Sequence, residues 1–453
     1  MKIVSDIAKI ASPVFVRGAL VYLLGGVVNA LLGLAVLPIF TRILTPNDYG
    51  LVATSAVLVQ VFTITLGLNG WGLIARSHFD SDLDAQRKLL STNIVFAVAL
   101  SILIIAACVA FGELAETVTK FPGSWMPIIV IVTLFGVIRT NYLCLVQAEN
   151  KSIRYVLVQT VSSILDLGLG IVFVLWIRNN WEGRMLASAI SGFIVASFSL
   201  HALIVRMSLL RPIFETKSLL LILNFGLPLV PHFIGGWVMT MAPRLYLNNM
   251  ATVADTGIFS VAFNFASPIA LVVGAANQAY WPLLFGKLST PSFDRLRLSR
   301  ALLLGAAALP VCAGVYTICI KWLLPLVVGP RFYQAADYVL WFAMAFAMQG
   351  VYFIFGNFVN YSKRTSLIAW RADFLGGSVT MVACPFLIHL NGAIGAAQAM
   401  LVGFTVSCIG CFAASRIAFP MPWKEAFFSL FRRDRLAIVR TEGSAVPRKD
   451  ADS

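Results

Sequence analysis

The sequence predicts an all-α integral membrane protein with 12 transmembrane helices in two pseudo-symmetric six-helix lobes, and with both termini in the cytoplasm. Three observations lead to this fold class. The 453-residue chain is 59% hydrophobic and only 12% charged, whereas a soluble domain has about 25% charged residues. Its apolar residues form runs long enough to cross a bilayer. Glycine and proline interrupt these runs at matching places in the two halves of the chain.

Each span needs about 20 apolar residues, because the hydrocarbon core is about 30 Å thick and an α-helix rises about 1.5 Å per residue. The sequence contains twelve such runs, at residues 18–40, 51–73, 91–112, 125–147, 156–177, 185–205, 219–241, 256–279, 301–327, 335–358, 365–389 and 393–415. We therefore predict an amphipathic N-terminal segment, an N-lobe, a cytoplasmic linker, a C-lobe and a basic tail with a disordered end, at residues 1–17, 18–206, 207–218, 219–415 and 416–453.

Lysine and arginine predict the orientation, because cytoplasmic loops are enriched in both. With the N-terminus inside, the connections on the other side contain only Arg42, Lys120, Arg178, Arg184, Arg244 and Arg331. Almost all remaining positive charge lies in the inner loops and the tail. The net charge of +14 is thus spread over many short loops and does not form the single basic face of a nucleic-acid-binding protein.

The two halves share a pattern of helix-interrupting residues. In the first half, the pattern is Gly25, Gly26, Asn29, Pro38, Arg42 and then Asp48-Tyr49-Gly50-Leu51. In the second half, it is Gly226, Pro228, Pro231, Gly235, Gly236, Arg244 and then Asp255-Thr256-Gly257-Ile258. Duplicated bundles with broken helices at matching positions are typical of transporters, where these helices line a site between the halves. We predict that the first and seventh helices are interrupted and border a central cleft.

No catalytic motif is present in the sequence: there is no GxSxG, Walker, HExxH or extramembrane carboxylate pair. Cys408 and Cys411 have CxxC spacing, but no second pair accompanies them and their run is apolar, which indicates apolar filler instead of a metal site. We expect no enzyme activity, cofactor or metal. The energy for transport must then come from an H⁺ or Na⁺ gradient, the membrane potential or the substrate gradient itself.

Two ionisable residues lie deep in adjacent predicted spans, Arg139 in the fourth and Asp166 in the fifth. Such groups cost about 2.5–3.5 kcal/mol in a bilayer on insertion scales and are therefore candidates for function. Both lie roughly 12–15 Å above the cytoplasmic edge, from the rise per residue, so they could meet. Three arrangements are open. The two residues form a structural ion pair, or they do not touch. In the third arrangement, Arg139 faces a central cavity as an anion site, and Asp166 changes the anion affinity of this site or takes up a coupling proton.

The other candidate charges lie nearer the helix ends. Arg371 and Asp373 are close to the inner end of the eleventh run, where Arg371 either snorkels to the surface or contacts substrate. Arg42 and Arg244 occupy equivalent outer positions in the repeat. They either anchor the protein at the interface or form the outer mouth of a cleft, where the planar guanidinium binds phosphate oxygens in two places.

Polar uncharged residues cluster in the predicted first, second, seventh and eighth helices and indicate a polar cavity there. The candidate substrate contacts among them are Asn29, Asn69, Asn224, Asn264 and Gln278. His232 lies between Pro231 and Gly235 and either titrates near neutral pH or is a buried neutral histidine. Together with Asp166 and Asp373, it completes the candidate coupling and gating residues.

The stretch from Asn29 to Gly50, which includes Pro38, Arg42 and Pro46, resembles the N-terminal signature of the polysaccharide-repeat-unit flippases. These belong to the multidrug/oligosaccharidyl-lipid/polysaccharide exporter superfamily, which also contains the MATE transporters. Later stretches are similar to further landmarks of the family, at residues 145–151, 224–231, 255–261 and 392–397. One departure is Pro243, which replaces the acidic residue that usually precedes the arginine ending helix seven and so argues against a gating role for that carboxylate here.

The resemblance implies an O-antigen-type flippase that moves an undecaprenyl-diphosphate-linked oligosaccharide from the inner to the outer leaflet of a bacterial inner membrane by alternating access. Cations would bind the diphosphate, and the candidates are Arg139, Arg42, Arg244 and Arg371. Amides and aromatic rings would bind the sugars, and the candidates are the Asn/Gln set with Trp71, Trp237, Tyr280 and Trp281.

Two alternatives belong to other functional classes. One is an ion-coupled exporter of small cationic molecules, which would need an acidic cavity. The other is a membrane glycosyltransferase or polymerase, which the lack of a sizeable outer loop disfavours. For the flippase, we expect membrane lipids, a polysaccharide polymerase and chain-length proteins as partners, and no nucleic acid.

Overall fold

A computed structural model describes residues 13–79, 82–206, 208, 213–289, 293–362 and 369–431. Every regular element within these ranges is helical. Most of the predicted amphipathic segment and the end of the predicted tail lie outside the described residues. The side chains of His232 and Arg371 also lie outside the described part of the molecule.

The described α-helices follow one another with short connections. Those of the first half are α1 (Pro13–Ile43), α2 (Pro46–Gly67), α3 (Gly70–Ser77), α4 (Leu83–Ala110), α5 (Gly112–Thr119), α6 (Met126–Ala148), α7 (Ser152–Trp176) and α8 (Trp181–His201). Those of the second half are α9 (Thr216–Gly226), α10 (Val230–Thr240), α11 (Ala242–Met250), α12 (Val253–Leu288), α13 (Arg295–Val327), α14 (Ala335–Tyr361), α15 (Leu375–Asn391), α16 (Ile394–Ala418) and α17 (Trp423–Phe431).

The helices confirm the predicted fold class of a multi-pass membrane protein. Within the described residues, 11 helices are long and apolar enough to cross a membrane, and a bent pair raises the number to 12 when it is counted as one span. This pair is α9 and α10, whose axes differ by 48°. Within the described residues, each of the twelve predicted apolar runs overlaps one of these spans, because hydropathy over about 20 residues determines which segments leave water.

The prediction that the first helix is interrupted is wrong. α1 continues for 31 residues with Pro38 inside it. A single proline removes one N–H donor, which a membrane helix tolerates when neighbouring groups satisfy the freed backbone. The seventh span instead contains Pro228 and Pro231, and its chain passes through a 3₁₀ segment at Leu227–Leu229. Two prolines within one turn remove two donors, which accounts for the break.

The repeated Asp-x-Gly motif begins α2 and α12 in the same way. Thr45 and Asp48 form a capping box at the start of α2, and Thr252 and Asp255 form one at the start of α12. Each box satisfies backbone N–H groups that a helix N-terminus leaves free. The repeat in the sequence therefore fixes where these two helices begin, at the end of the bundle that we assign to the outside.

The glycine of each motif brings α2 and α12 into contact. An added Cβ at Gly50 would overlap the carbonyl oxygen of Val253, and one at Gly257 would overlap that of Pro46. The Asn248 amide strengthens this contact by donating hydrogen bonds to Thr54 Oγ1 and to the Thr119 carbonyl oxygen, both at 2.8 Å. The two halves are thus joined at their predicted outer ends.

The first part of the seventh span packs against the first half of the chain. Ile222 of α9 is buried in one cluster with Leu68, Ile74 and Leu90. Just before α9, Glu215 forms an ion pair with Lys88 at 3.1 Å. The predicted lobe boundary at residue 219 differs from this packing. α9 packs with the helices of the first bundle, whereas α10 packs mainly with the helices of the second.

A larger residue at Gly257 should hold the outer ends apart. We expect Gly257→Leu to make the outer cavity accessible from outside. The measurement uses a protein without its own cysteines, in which Asn264→Cys supplies the single thiol. With Gly257→Leu, this thiol should react with an impermeant maleimide about tenfold faster than with Gly257 unchanged. A tenfold change corresponds to about 1.4 kcal/mol in the free-energy difference between the closed and open conformations. Gly274→Leu on the same helix is the matched control, because an added Cβ there has nothing within 4 Å. Equal labelling rates in both variants would contradict the predicted gate.

Candidate functional site

Three neighbouring cavities follow α2 between the two halves of the molecule. The outer cavity has a volume of about 440 Å³ and is lined by α1, the first half of α2, Arg184, Arg244 and α12. The middle cavity has about 490 Å³ and lies between Gln60, Thr63 and Ile64 of α2 and the helices of the second half. The inner cavity has about 120 Å³ and lies where α2 ends. They lie between the halves, where a central cleft is predicted.

Arg244 is the main cation of the outer cavity. It lies in the first turn of α11, is 5% exposed and is stacked over the Phe263 ring at 4.6 Å. Its Nε donates to Ser260 Oγ at 3.1 Å, and its Nη1 donates to the Thr240 carbonyl oxygen at 2.7 Å. Nη2 makes no hydrogen bond within the described ranges, and no described carboxylate forms an ion pair with Arg244. A buried guanidinium with a free N–H edge is suited to an anionic ligand.

Asp166 forms its ion pair with Arg184 and not with Arg139. Arg184 Nη2 and Nη1 donate to the two Asp166 carboxylate oxygens at 2.5 and 3.1 Å. Ser188 and Ser191 also donate to Asp166 Oδ1, at 2.9 and 3.1 Å. The charge pattern assigns Arg184 to the outer connections, but its side chain lies inside the protein and lines the outer cavity.

Of the three arrangements open for Arg139 and Asp166, the structure shows the one without contact. Asp166 attracts Arg139 electrostatically, but no ion pair or hydrogen bond of Arg139 occurs among the described residues. The Nε of Arg139 is buried without a partner. Arg139 lines none of the three cavities. The prediction that the two residues lie at equal depth is wrong: Arg139 is nine residues from the inner end of α6 at Ala148, whereas Asp166 is 14 residues from the inner end of α7 at Ser152.

Arg42 and Arg244 do not form a pair at an outer mouth. Arg42 is exposed, whereas Arg244 is buried at the cavity wall. The repeat places both at matching positions in the sequence, yet α1 continues past its proline while the seventh span bends and starts a new helix at Ala242. Asn264 is placed as predicted: its amide donates to the Tyr49 hydroxyl at 3.0 Å and joins the two walls of the outer cavity.

Asp373 is a polar group of the middle cavity. It is buried on the π-helical segment Ala369–Phe374, and its Oδ2 accepts a hydrogen bond from the Tyr352 hydroxyl at 3.4 Å. Gln60 and Gln349 also line this cavity, and the Trp237 Nε1 there is buried without a hydrogen-bond partner.

The remaining predicted contacts have different positions. Asn69 lines the inner cavity with Trp71. Asn29 donates to Thr160 Oγ1 at 3.2 Å and thereby joins α1 to α7. Asn224 and Gln278 are exposed and line none of the three cavities. The predicted roles of His232 and Arg371 depend on side chains outside the described residues.

The sequence profile of the family described as "Polysaccharide biosynthesis protein" matches residues 15–288, which is more than half of the chain. The chain belongs to the polysaccharide biosynthesis protein family. Among curated proteins, it is similar to "Lsg locus putative protein 1" of Haemophilus influenzae, with 20% identity over 358 residues, 78% of this chain and 86% of that protein. An uncharacterized membrane protein of the same organism is 22% identical over the same length and coverage.

Solved structures show that the fold of this polysaccharide biosynthesis protein is that of the MATE transporters. An inward-facing multidrug resistance MATE transporter of the MOP superfamily matches with a TM-score of 0.66 at 14% identity, over 88% of this chain and 97% of that one. A MOP superfamily transporter from Pyrococcus furiosus, described by the reverse polarity of its binding pocket, matches with a TM-score of 0.57 at 15% identity, over 89% and 95% of the two chains. At these identities, the solved structures show a shared fold.

Three residues of this family member line the cavities without being predicted to do so: Arg184, Tyr49 and Gln60. A signal for Arg184 was present: Arg184, Ser188 and Ser191 are spaced i, i+4 and i+7, which places them on one helix face. Such a polar face in an apolar helix needs a partner, and the neighbouring span offers Asp166. Tyr49 and Gln60 carry no comparable signal, because tyrosine and a single glutamine are common in membrane helices that only pack.

Proposed function

We propose that the protein is a flippase that moves undecaprenyl-diphosphate-linked oligosaccharide repeat units from the inner to the outer leaflet of the bacterial inner membrane, for surface polysaccharide biosynthesis. The observation that carries this proposal is Arg244, a buried guanidinium at the wall of the outer cavity that no described carboxylate neutralises. Buried charges are usually paired, so the missing partner is expected to be an anionic substrate. Membership of a polysaccharide biosynthesis family agrees with a glycan as cargo.

In this mechanism, the diphosphate occupies the outer cavity and the polyprenyl chain stays in lipid. Arg244 binds phosphate oxygens through its free N–H edge, and Arg184 stands at the same cavity as a second cation. At the predicted outer end, α2 meets α12 at Gly50 and Gly257. Opening that contact and closing the opposite end would carry the headgroup across the membrane.

Asp166 provides a route for coupling to protons. It binds Arg184 through both carboxylate oxygens, so a substrate phosphate must compete with it for this guanidinium. Protonation of Asp166 would remove its charge and free Arg184 for the phosphate, which links substrate binding to proton uptake. This exchange needs no bound cofactor.

A second candidate function is ion-coupled export of small cationic molecules. Asp373 favours it, since this carboxylate lines the middle cavity beside Tyr352 and aromatic Phe233, where a cation could bind. The MATE structures with the same fold fit this function equally well. The two candidates differ in the charge of the cargo and in the cavity that binds it.

Reconstitution into liposomes separates the two candidates. We expect the purified protein to move a fluorescent polyprenyl-diphosphate oligosaccharide between leaflets without ATP, measured by access of a membrane-impermeant quencher or glycosidase. Protein-free liposomes and liposomes with heat-inactivated protein provide the background rate. Uptake of a cationic dye without any movement of the lipid-linked glycan would contradict the flippase proposal and favour the exporter.

A further inference from the structure

The inner cavity differs chemically from the outer one. It lies at the junction of α2 and α3, opposite α6 and the first turns of α10. Its wall contains apolar, hydroxyl and amide side chains, and no charged side chain among the described residues that line it. A ligand that binds here must therefore be uncharged, and it must carry both polar groups and an apolar surface.

Two asparagines of this wall have hydrogen-bonding atoms without partners. Asn141 on α6 is 1% exposed, and its Oδ1 accepts from Asn93 Nδ2 at 3.2 Å, which fixes the orientation of the amide. Its Nδ2 is buried and has no hydrogen-bond partner within the described ranges. The Oδ1 of Asn69 is likewise buried and unpartnered. Buried polar atoms are normally hydrogen-bonded. A ligand that displaces these side chains slightly on entering the cavity would find one donor and one acceptor without partners.

The backbone at Asn69 holds this acceptor in place. Asn69 has a φ of 54° at the break between α2 and α3, a left-handed conformation that asparagine tolerates better than most residues. The break directs the chain so that Trp71 follows on the same cavity wall. Trp71 is 44% exposed, which leaves an indole surface free beside the two amides.

We propose that the inner cavity is a subsite for a neutral sugar ring of the transported glycan, with Trp71 as the stacking surface and the amides of Asn69 and Asn141 as hydrogen-bonding partners. A pyranose ring has hydroxyl groups around its edge and C–H bonds on its faces. The hydroxyls can both donate to Asn69 Oδ1 and accept from Asn141 Nδ2, and the slightly positive C–H face packs against the negative face of the indole. This subsite rests on the proposed flippase function.

The subsite lies along the same helix as the cation site. From Ala56, the last α2 residue at the outer cavity, to Asn69, the α2 axis covers about 20 Å at about 1.5 Å per residue. A headgroup with its diphosphate at Arg244 would thus extend its sugars past the middle cavity into the inner one. Charged side chains thus line the outer cavity, and neutral polar and aromatic side chains line the inner one.

Binding measurements on the purified full-length protein test the subsite. We would compare polyprenyl diphosphate with the same lipid carrying an uncharged oligosaccharide, and take the ratio of the two dissociation constants as the contribution of the glycan. In the unchanged protein, the glycan should tighten binding about tenfold, as expected for a few net hydrogen bonds and one stacking contact. Trp71→Ala and Asn69→Gly should remove most of this gain without changing the affinity for the bare diphosphate lipid.

The variants are chosen to preserve the fold. Asn69→Gly keeps the left-handed backbone while deleting the amide. Trp71→Phe retains an aromatic face and should restore part of the gain. Trp322→Ala is the matched control, because this tryptophan is 80% exposed and lines none of the three cavities.

The possible outcomes separate the subsite from the flippase proposal. If the bare diphosphate lipid fails to bind the unchanged protein, the proposed function itself is contradicted. If it binds, but the glycan gain survives in both Trp71→Ala and Asn69→Gly, the inner cavity holds water only and the subsite is refuted. A glycan gain that both variants lose, with intact diphosphate affinity, establishes it.

Discussion

Arg244→Ala should reduce transport of the lipid-linked oligosaccharide about 100-fold while the protein still inserts into the membrane. The substitution removes charge-assisted hydrogen bonds to phosphate, each worth about 1.5–3 kcal/mol, from a site where Arg244 is the cation without an acidic partner in the described structure. Arg244→Lys should recover only part of the rate, because an ammonium keeps the charge but cannot bind two phosphate oxygens in the plane of a fork. Initial flipping rates in liposomes measure both effects.

Arg42→Ala provides a matched control for this experiment. Arg42 occupies the equivalent position in the sequence repeat but is exposed and lines none of the three cavities. It should keep the unchanged flipping rate. A normal rate in Arg244→Ala, with normal affinity for polyprenyl diphosphate, would exclude the outer cavity as the phosphate site. Loss of transport in both variants would instead indicate a general effect of removing positive charge at the predicted outer end.

The second large effect is expected at the Asp166–Arg184 pair. Asp166→Ala leaves the Arg184 guanidinium, 13% exposed, without its carboxylate. Removing one partner of a buried ion pair costs about 3–5 kcal/mol, and the partial exposure of Asp166 to the cavity reduces this to roughly 2 kcal/mol. The midpoint of thermal unfolding in detergent should therefore fall by several degrees. Adding Arg184→Leu should restore part of the loss, because no uncompensated charge remains.

A surface ion pair at the start of the same helix is the control for this cycle. Arg178 and Glu182 are in contact just outside the cavity, and the Arg178 side chain is 57% exposed. Exposed pairs contribute about 0–1 kcal/mol, so Glu182→Ala should leave the unfolding midpoint nearly unchanged. If the effects of Asp166→Ala and Arg184→Leu simply add, the two residues do not stabilise each other and the pair has no structural role.

The fold could be predicted from the sequence because each span depends on the hydropathy averaged over many residues. The site depends on which face of each helix a single side chain projects from. About 20 apolar residues make a span wherever they occur, so the twelve runs locate the helices. That Arg139 and Asp166 lie within spans also follows from these runs. Their partners do not, since the face of a helix that meets its neighbour is set by packing between helices far apart in the sequence, and α7 turns Asp166 toward Arg184 of α8.

Arg184 shows that a residue close to a helix end, which the charge pattern assigns to a loop, belongs to the protein interior. It lies three residues after the first residue of α8, Trp181. From the charge pattern it belongs to an outer connection, but one helical turn is enough to bring a long side chain back into the protein. The seventh span shows the opposite case: Pro228 and Pro231 predicted its interruption correctly, because proline removes backbone donors in any context.

The division of the seventh span between the two bundles resembles a domain swap within a single chain. α9 completes the core of the first bundle around Ile222, and α10 belongs to the second. The duplicated halves are therefore not interchangeable units that a linker merely tethers. The chain passes from one bundle to the other at Leu227–Leu229, a segment that contains Pro228 and follows Gly226, so a rotation of one bundle against the other would change the backbone angles there.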